Sequence, residues 1–339
     1  MGYIARNTRA DPFPRHVHRL DKGMPTPDRQ SENLRGILLM VAAMALFAVE
    51  DLFLKWAAAD LPLGQIILVS GALGAPVFLL MARRQGQGIF VKDALHPAVI
   101  TRNIGEMIGT ASFVAALAIV PLGTVAAVLQ AMPLAVTMGA ALIFGEQVGW
   151  RRWTAISVGF AGVVLVIQPG AEGFRPAALL VLITVVAMSV RDLAARAIPD
   201  RVTTAQVSAW GLMAVTLLGA GMLAVTGGAR PVSLLEGAIL LGAVIFGTAG
   251  YWAVTGATRT GEVAVVAPFR YTRLIFSMGL GVAFLAERPN RLTLIGAGLI
   301  VASGLYAFAR ERARKRASQA AGSGVKGPGT LPSAKGDHP

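Results

Sequence analysis

Val49-Glu50-Asp51-Leu52-Phe53-Leu54-Lys55 returns 141 residues later as Val190-Arg191-Asp192-Leu193-Ala194-Ala195-Arg196, and both copies lie in apolar stretches. The same shift, with no gap, carries Gln65 onto Gln206, Gly109 onto Gly250, Ala116 onto Ala257, Val125-Ala126 onto Val266-Ala267 and Glu146 onto Glu287. Apolar matches are expected by chance in a chain rich in Ala, Gly, Leu and Val. Matched Asp, Gln and Glu, with a base four residues after each Asp, are not, because charge inside an apolar segment is costly. The pattern reads as a duplicated membrane unit.

Composition agrees. Of the 339 residues only 14% are charged and 55% are hydrophobic, against about 25% charged in an average soluble chain. The expected fold is an all-α polytopic membrane protein of ten spans, since about 20 apolar residues are needed for each crossing. The first repeat covers residues 36–168 and the second 177–308, with the third span near Ile104–Val120 and the ninth near Val263–Leu285. Residues 1–35 form a basic tail without an apolar core, so they do not read as a cleavable signal. Residues 311–339, rich in Arg, Lys, Gly and Ser, read as a disordered tail. With both termini placed on one side, that side collects 22 Lys and Arg and the other four, which puts both ends in the cytoplasm of an inner-membrane protein. Five spans per repeat is odd, so the second copy enters from the opposite side and the repeats are inverted, an arrangement suited to alternating access.

The net charge of +13 resides mainly in tails and loops on that one side. It therefore fits an anionic lipid surface, and nucleic acid is not an expected partner. There is no cysteine, and the four histidines (His16, His18, His96, His338) fall in tails or a loop, so no metal site, cofactor or catalytic residue is expected. No Walker A, HExxH or GxSxG device is present, which leaves a gradient or exchange to drive any transport.

The charges inside spans are the candidate pathway. Asp51 and Lys55, like Asp192 and Arg196, are spaced i, i+4 with the acid first and are expected to pair along their own helices; a structural pair and a gate remain open as roles. Glu50 and Arg191 hold equivalent positions with opposite charge, suggesting a pair across the pseudo-symmetry axis. Arg102 and Glu106 form another i, i+4 pair where the third span enters, read as structural. Arg270 and Arg273 lie mid-span, where an arginine costs roughly 2.5–3.5 kcal/mol by insertion scales. They should face water or buried acids, with Pro268 loosening the helix beside them. Gln130 precedes Pro133 and is equivalent to Tyr271, so the two are paired candidates for polar substrate contacts. Trp252 is a candidate for stacking on a flat ring. Glu146 and Glu287, at helix ends, are read as structural.

Phe144-Gly145-Glu146 and Leu285-Ala286-Glu287 close the two fourth helices, and Gln130-Ala131-Met132-Pro133-Leu134 and Ala302-Ser303-Gly304-Leu305-Tyr306 accompany them. With these phrases the chain, over residues 34 to 312, resembles the EamA family of the drug/metabolite transporter superfamily. The resemblance implies a helical bundle of two EamA repeats around a central cavity, moving small organic metabolites in or out. Many members carry an arginine five residues after the second-span glutamine; here that position is Ser70, so no role of that arginine transfers. Leu61-Pro62-Leu63-Gly64-Gln65-Ile66, Gly149-Trp150-Arg151-Arg152-Trp153 and Ala267-Pro268-Phe269-Arg270-Tyr271-Thr272-Arg273, with the Glu50 to Lys55 phrase, look like a bacterial subgroup associated with riboflavin uptake. The expectation is a secondary transporter and not an enzyme, with riboflavin as best substrate and amino acids or other amphiphilic metabolites, exported or imported, as the alternative. An intramembrane enzyme or a scaffold is a distant third, because no nucleophile–base pair or metal set lies within the spans. The sequence leaves the oligomeric state, a homodimer included, undetermined.

Overall fold

A computed structural model describes residues 26–89, 91–169 and 176–323. Among these every regular element is helical. The helices are α1 (Thr26–Asp60), α2 (Leu63–Arg84), α3 (Pro97–Ile119), α4 (Leu122–Leu129 continued by Met132–Phe144), α5 (Trp150–Ile167), α6 (Ala178–Ala195), α7 (Thr204–Thr226) and α8 (Leu234–Thr260). They are followed by α9 (Val263–Val266, a 3₁₀ turn Ala267–Tyr271, then Thr272–Leu285) and α10 (Arg291–Ser323).

Eight of these are long and apolar enough to cross a membrane. The two outside that set are α3, which carries Arg102 and Glu106, and α9, which is broken into shorter pieces. The same charges and breaks build the site described below. Helix α1 begins at Thr26, inside the expected basic tail, and α10 continues to Ser323, well into the stretch expected to be disordered. The remainder of both tails, with His16, His18 and His338, lies outside the described residues.

Sequence-coded caps fix the helix ends. Thr203 and Gln206 cap α7 reciprocally, and Ser233 and Glu236 do the same for α8, each satisfying two otherwise orphaned backbone amides. His96 Nδ1 accepts from Ala98 N at 3.2 Å at the start of α3. At the matched ends of α4 and α9, Gly145 (φ 66°) and Ala286 (φ 52°) turn the chain left-handed. Glycine adopts that conformation freely, whereas alanine meets a steric cost there.

Each helix packs most extensively against one from the other repeat: α1 on α8, α2 on α7, α3 on α6, α5 on α10, α4 on α6 and α9 on α1. A 141-residue shift exchanges α1–α8 with α3–α6 and α4–α6 with α9–α1, and maps the other two pairs onto themselves, so the packing is two-fold pseudosymmetric. The direction of each pair follows from its contacts. Gly64 of α2 lies against Met222 and Gly219, while Gly71 lies against Thr216 and Leu212. Gly162 of α5 approaches Gly296 and Ile300, and Gly159 approaches Ser303. In both pairs numbers rise on one helix as they fall on the other, so these equivalent helices run antiparallel. Small residues make the approach possible: a Cβ on Gly162 would stand 2.7 Å from the Gly296 carbonyl oxygen.

The repeated glutamines anchor equivalent loops. Gln65 Nε2 donates to Arg230 O at 2.7 Å, and Gln206 Nε2 to Gly88 O at 2.6 Å. Trp210 Nε1 adds a bond to Ile89 O at 2.9 Å. A buried core centred on Leu52, Ile66, Leu117, Leu122, Val181 and Ile300 joins the repeats. Large apolar side chains such as Leu142, Leu217, Leu234 and Ile275 face outwards, an apolar exterior that suits lipid and not water.

Candidate functional site: two charged clusters at the helix breaks

Helices α4 and α9 are interrupted at equivalent places. Gln130 and Ala131 separate the two parts of α4, with Pro133 in the first turn beyond, and Pro268 sits in the 3₁₀ turn of α9. Proline has no amide to donate and crowds the preceding turn, so each break follows from its sequence. The breaks meet: Gln130, 9% exposed, donates through Nε2 to the Arg270 carbonyl at 3.3 Å. An unwound backbone carbonyl at this depth thereby finds a donor within the protein. The Tyr271 hydroxyl sits against Gly304 of α10, where any larger residue would collide with it.

Two charged clusters flank the breaks. In the first, Arg273 of α9 forks onto Asp51 of α1, with Nη2 2.7 Å from Oδ1 and Nε 3.2 Å from Oδ2. The planar guanidinium matches both carboxylate oxygens, the geometry that makes such pairs strong. Phe47, one turn before Asp51, lies under the guanidinium at 5.4 Å, adding a cation–π contact. Glu50 is half-buried, with Asp51 and Arg273 as its charged neighbours. Its carboxylate occupies the space left by Gly247 of α8 and makes no hydrogen bond or ion pair among the described residues.

In the second cluster Arg102 Nη2 lies 2.7 Å from Glu106 Oε2 on α3. Arg191 of α6 then bridges Glu106 at 3.3 Å and Asp192 at 2.9 Å. The Arg102 guanidinium fits over Gly211 of α7. The Ser112 and Thr184 hydroxyls, 2.9 Å apart, join α3 to α6 nearby. Arg270 completes this side. Its side chain is exposed, with Asp192 as its attractive neighbour and Arg191 and Arg273 as repulsive ones. Among the described residues it has no ion pair and no side-chain hydrogen bond.

Several expected partnerships change. Asp51 takes Arg273 and not Lys55, whose Nζ donates to the Leu117 and Val120 carbonyls, both at 2.7 Å. Asp192 takes Arg191, while Arg196 reaches Glu146 at 3.1 Å. Glu50 and Arg191 are not paired, since Arg191 is drawn to Glu106 of the helix packed against its own. Trp252 is 76% exposed and lies on the side of α8 opposite Gly250, which packs on Phe47 of α1, so its phase turns it outward and away from the clusters. Tyr251, beside it, packs edge-on to Phe78 at 5.0 Å. Arg102 and Glu106 pair as expected. Phe47, Gly247 and Gly211 were not foreseen; Phe47 is signalled by its i, i+4 spacing to Asp51, but no local signal marks the two glycines. The Ser70 hydroxyl is shut off from solvent and has no hydrogen-bond partner among the described residues.

A model of the EamA-like transporter family matches the chain twice, over residues 34–168 and 175–308. A riboflavin transporter of Rhizobium johnstonii is 26% identical over 83% of this chain and 93% of its own length. A pseudopaline exporter of Pseudomonas aeruginosa is 25% identical over 78% of this chain and 93% of its own. An S-adenosylmethionine uptake transporter of Rickettsia bellii is 25% identical over 63% of this chain and 72% of its own.

Proposed function

The chain belongs to the EamA-like transporter family, and from that premise we propose that it imports riboflavin across the bacterial inner membrane by alternating access. In this reading ten helices cross the bilayer as two inverted five-helix repeats. Both termini are cytoplasmic, because the Lys and Arg residues gather on their side.

The observation that carries the reading is Arg270. Arg102, Arg191 and Arg273 are each held by a carboxylate, whereas Arg270 is exposed at a helix break without one among the described residues. A guanidinium left in that condition favours a ligand that brings carbonyl or anionic oxygens to it. Riboflavin presents imide carbonyls to Arg270 and a hydroxylated ribityl chain to Gln130, Tyr271 and Glu50. The Rhizobium relative supports this substrate through its name and its matched length. Asp51–Arg273 and the Arg102–Glu106–Arg191–Asp192 chain hold the helices that frame the ligand. Lipid surrounds the bundle, and no cofactor takes part.

A second reading is export of an amphiphilic metabolite, amino acids included, favoured by the similarity to an exporter matched over 93% of its own length. The two separate in a flavin-requiring strain that lacks its own carrier. Expression of this protein should permit accumulation of labelled riboflavin. Arg270→Ala should lower uptake about tenfold or more, the loss expected for one charge-assisted hydrogen bond, with unchanged amounts of protein in the membrane. Absence of flavin accumulation by the unaltered protein removes riboflavin as substrate; undiminished uptake by Arg270→Ala removes the site.

A further inference from the structure

The turn joining α3 to α4 and the turn joining α8 to α9 are equivalent under the 141-residue shift but are held in different ways. In the first, Lys55 donates to the Leu117 and Val120 carbonyls at the end of α3. Glu287 accepts from the Leu122 amide at 2.6 Å and the Gly123 amide at 3.2 Å at the start of α4. A cation thus covers a helix carboxyl end and an anion covers a helix amino end, each opposite in sign to the charge it meets.

The shift maps Lys55 onto Arg196, Glu287 onto Glu146, and the Leu117 and Val120 carbonyls onto those of Thr258 and Gly261. Arg196 bonds to neither carbonyl. It lies 3.1 Å from Glu146, with the two side chains 49% and 50% exposed. Local backbone does not explain the difference, because Glu146 N bonds to Ala140 O as Glu287 N does to Gly281 O. The second turn is instead clasped by the start of α1. Glu262 N donates to Asn33 Oδ1 at 2.8 Å, and a Cβ on Gly36 would stand 2.9 Å from the Gly261 Cα. The residue equivalent to Gly36 is Ala177, just before α6. It faces the first turn across a cavity of about 640 Å³ that Lys55, Val120, Pro121 and Glu287 also line. Helix α1 touches both turns, the second with its start and the first with Lys55 near its end.

We propose that these four charges form one latch with mutually exclusive settings at the two ends of the bundle. In the present setting Lys55 and Glu287 bind the first turn, while Arg196 and Glu146 hold each other. In the other setting Arg196 and Glu146 separate and cap the second turn as the start of α1 withdraws. Lys55 and Glu287, already facing one cavity, then pair with each other, and Ala177 closes onto Val120. Charge-assisted bonds lost at one end are regained at the other, so neither setting dominates, as a two-state carrier requires. The latch rests on the carrier reading for its purpose, but the exchange is measurable without substrate.

The chain has no cysteine, so an introduced pair reports without background. With Val120→Cys and Ala177→Cys in the membrane-embedded protein and no substrate, disulfide formation under mild oxidant measures how often the cavity closes. A capping cation makes two carbonyl bonds, whereas the exposed glutamate pair that replaces them contributes little, so Lys55→Met should raise that rate about tenfold and Arg196→Met should lower it about tenfold, the scale of one charge-assisted hydrogen bond. Should either variant fail to accumulate, Glu287→Gln is expected to raise the rate and Glu146→Gln to lower it. Rates that do not change, or that move in the same direction at both ends, overturn the latch. Opposite shifts in a protein that does not take up riboflavin leave the latch standing and remove only the substrate; coincident shifts in a protein with intact uptake remove only the latch.

Discussion

Asp51 and Asp192 occupy the same position in the two repeats and meet different fates. Asp51 is 2% exposed and sealed by an arginine that arrives from another helix. The Asp192 side chain is 37% exposed and paired with the arginine beside it in sequence. Three positions account for the divergence. The equivalent of Arg273 is Met132, so α4 brings Asp192 no cation. The equivalents of Glu50 and Gly247 are Arg191 and Glu106. An acid facing a glycine in one interface therefore corresponds to an ion pair in the other. At formal charges the first cluster has one carboxylate in excess, and the second, with Arg270, one guanidinium in excess. Duplication supplied a symmetric frame, and a few substitutions made the space between the halves polar in one direction. A closed pair can hold helices together, whereas the open network leaves Arg270 without a carboxylate partner among the described residues.

The largest expected consequence is a contrast in stability. Asp51→Asn strips the half-buried Arg273 of its bidentate partner and leaves only the unbonded Glu50 carboxylate nearby, which should cost about 3 kcal/mol, the lower end for breaking a buried pair. Asp192→Asn should cost about 1 kcal/mol or less, because the site is partly exposed and Arg191 keeps Glu106. Thermal unfolding of the two variants in detergent measures the difference. Equal losses would mean that the two acids are not distinguished by closure.

A smaller effect tests whether the missing cation explains Asp192. Arg191→Met removes a partner from both Glu106 and Asp192 and should destabilise by about 1–3 kcal/mol. Adding Met132→Arg in that background supplies a guanidinium where the repeat places Arg273. It should recover about 1 kcal/mol, the scale of a single net hydrogen bond. No recovery would show that α4 and α9 present these positions to the aspartates differently.

The frame of this molecule was legible in its sequence because it repeats. The single 141-residue shift identified the equivalent helices, the register that matches Gln130 with Tyr271, and the paired glutamates that follow α4 and α9, and Pro268 marked the break in α9; the break in α4 was not anticipated. Partner choice was legible only where it is local. Arg102 and Glu106 share one face of one helix, and they pair. The same i, i+4 argument failed for Asp51, because a buried carboxylate is claimed by the best-matched donor in three dimensions, and Arg273 lies 222 residues away. It failed for Asp192 because Arg191 bridges to α3, which no local pattern announces. Gly247 and Gly211 leave no signal of their own, since their role is the absence of a side chain where Glu50 and Arg102 must fit. The face taken by Trp252 depends on helix phase, which one aromatic residue cannot set.

The smallest expected effect on stability separates packing from ligand contact at the break itself. The Tyr271 hydroxyl touches Gly304 but makes no hydrogen bond among the described residues, so Tyr271→Phe should alter stability by no more than about 0.5 kcal/mol. Gln130, its counterpart in the first repeat, already donates to the Arg270 carbonyl, and Gln130→Leu should cost about 1 kcal/mol. Concentration-dependent uptake then assigns the two polar groups. If Tyr271 serves the ligand, the phenylalanine variant raises the half-saturating concentration several-fold while stability stays level. If uptake is also unchanged, the hydroxyl faces the ligand path without using it, and the substrate-binding polarity of the breaks lies with Arg270 and the first repeat's glutamine.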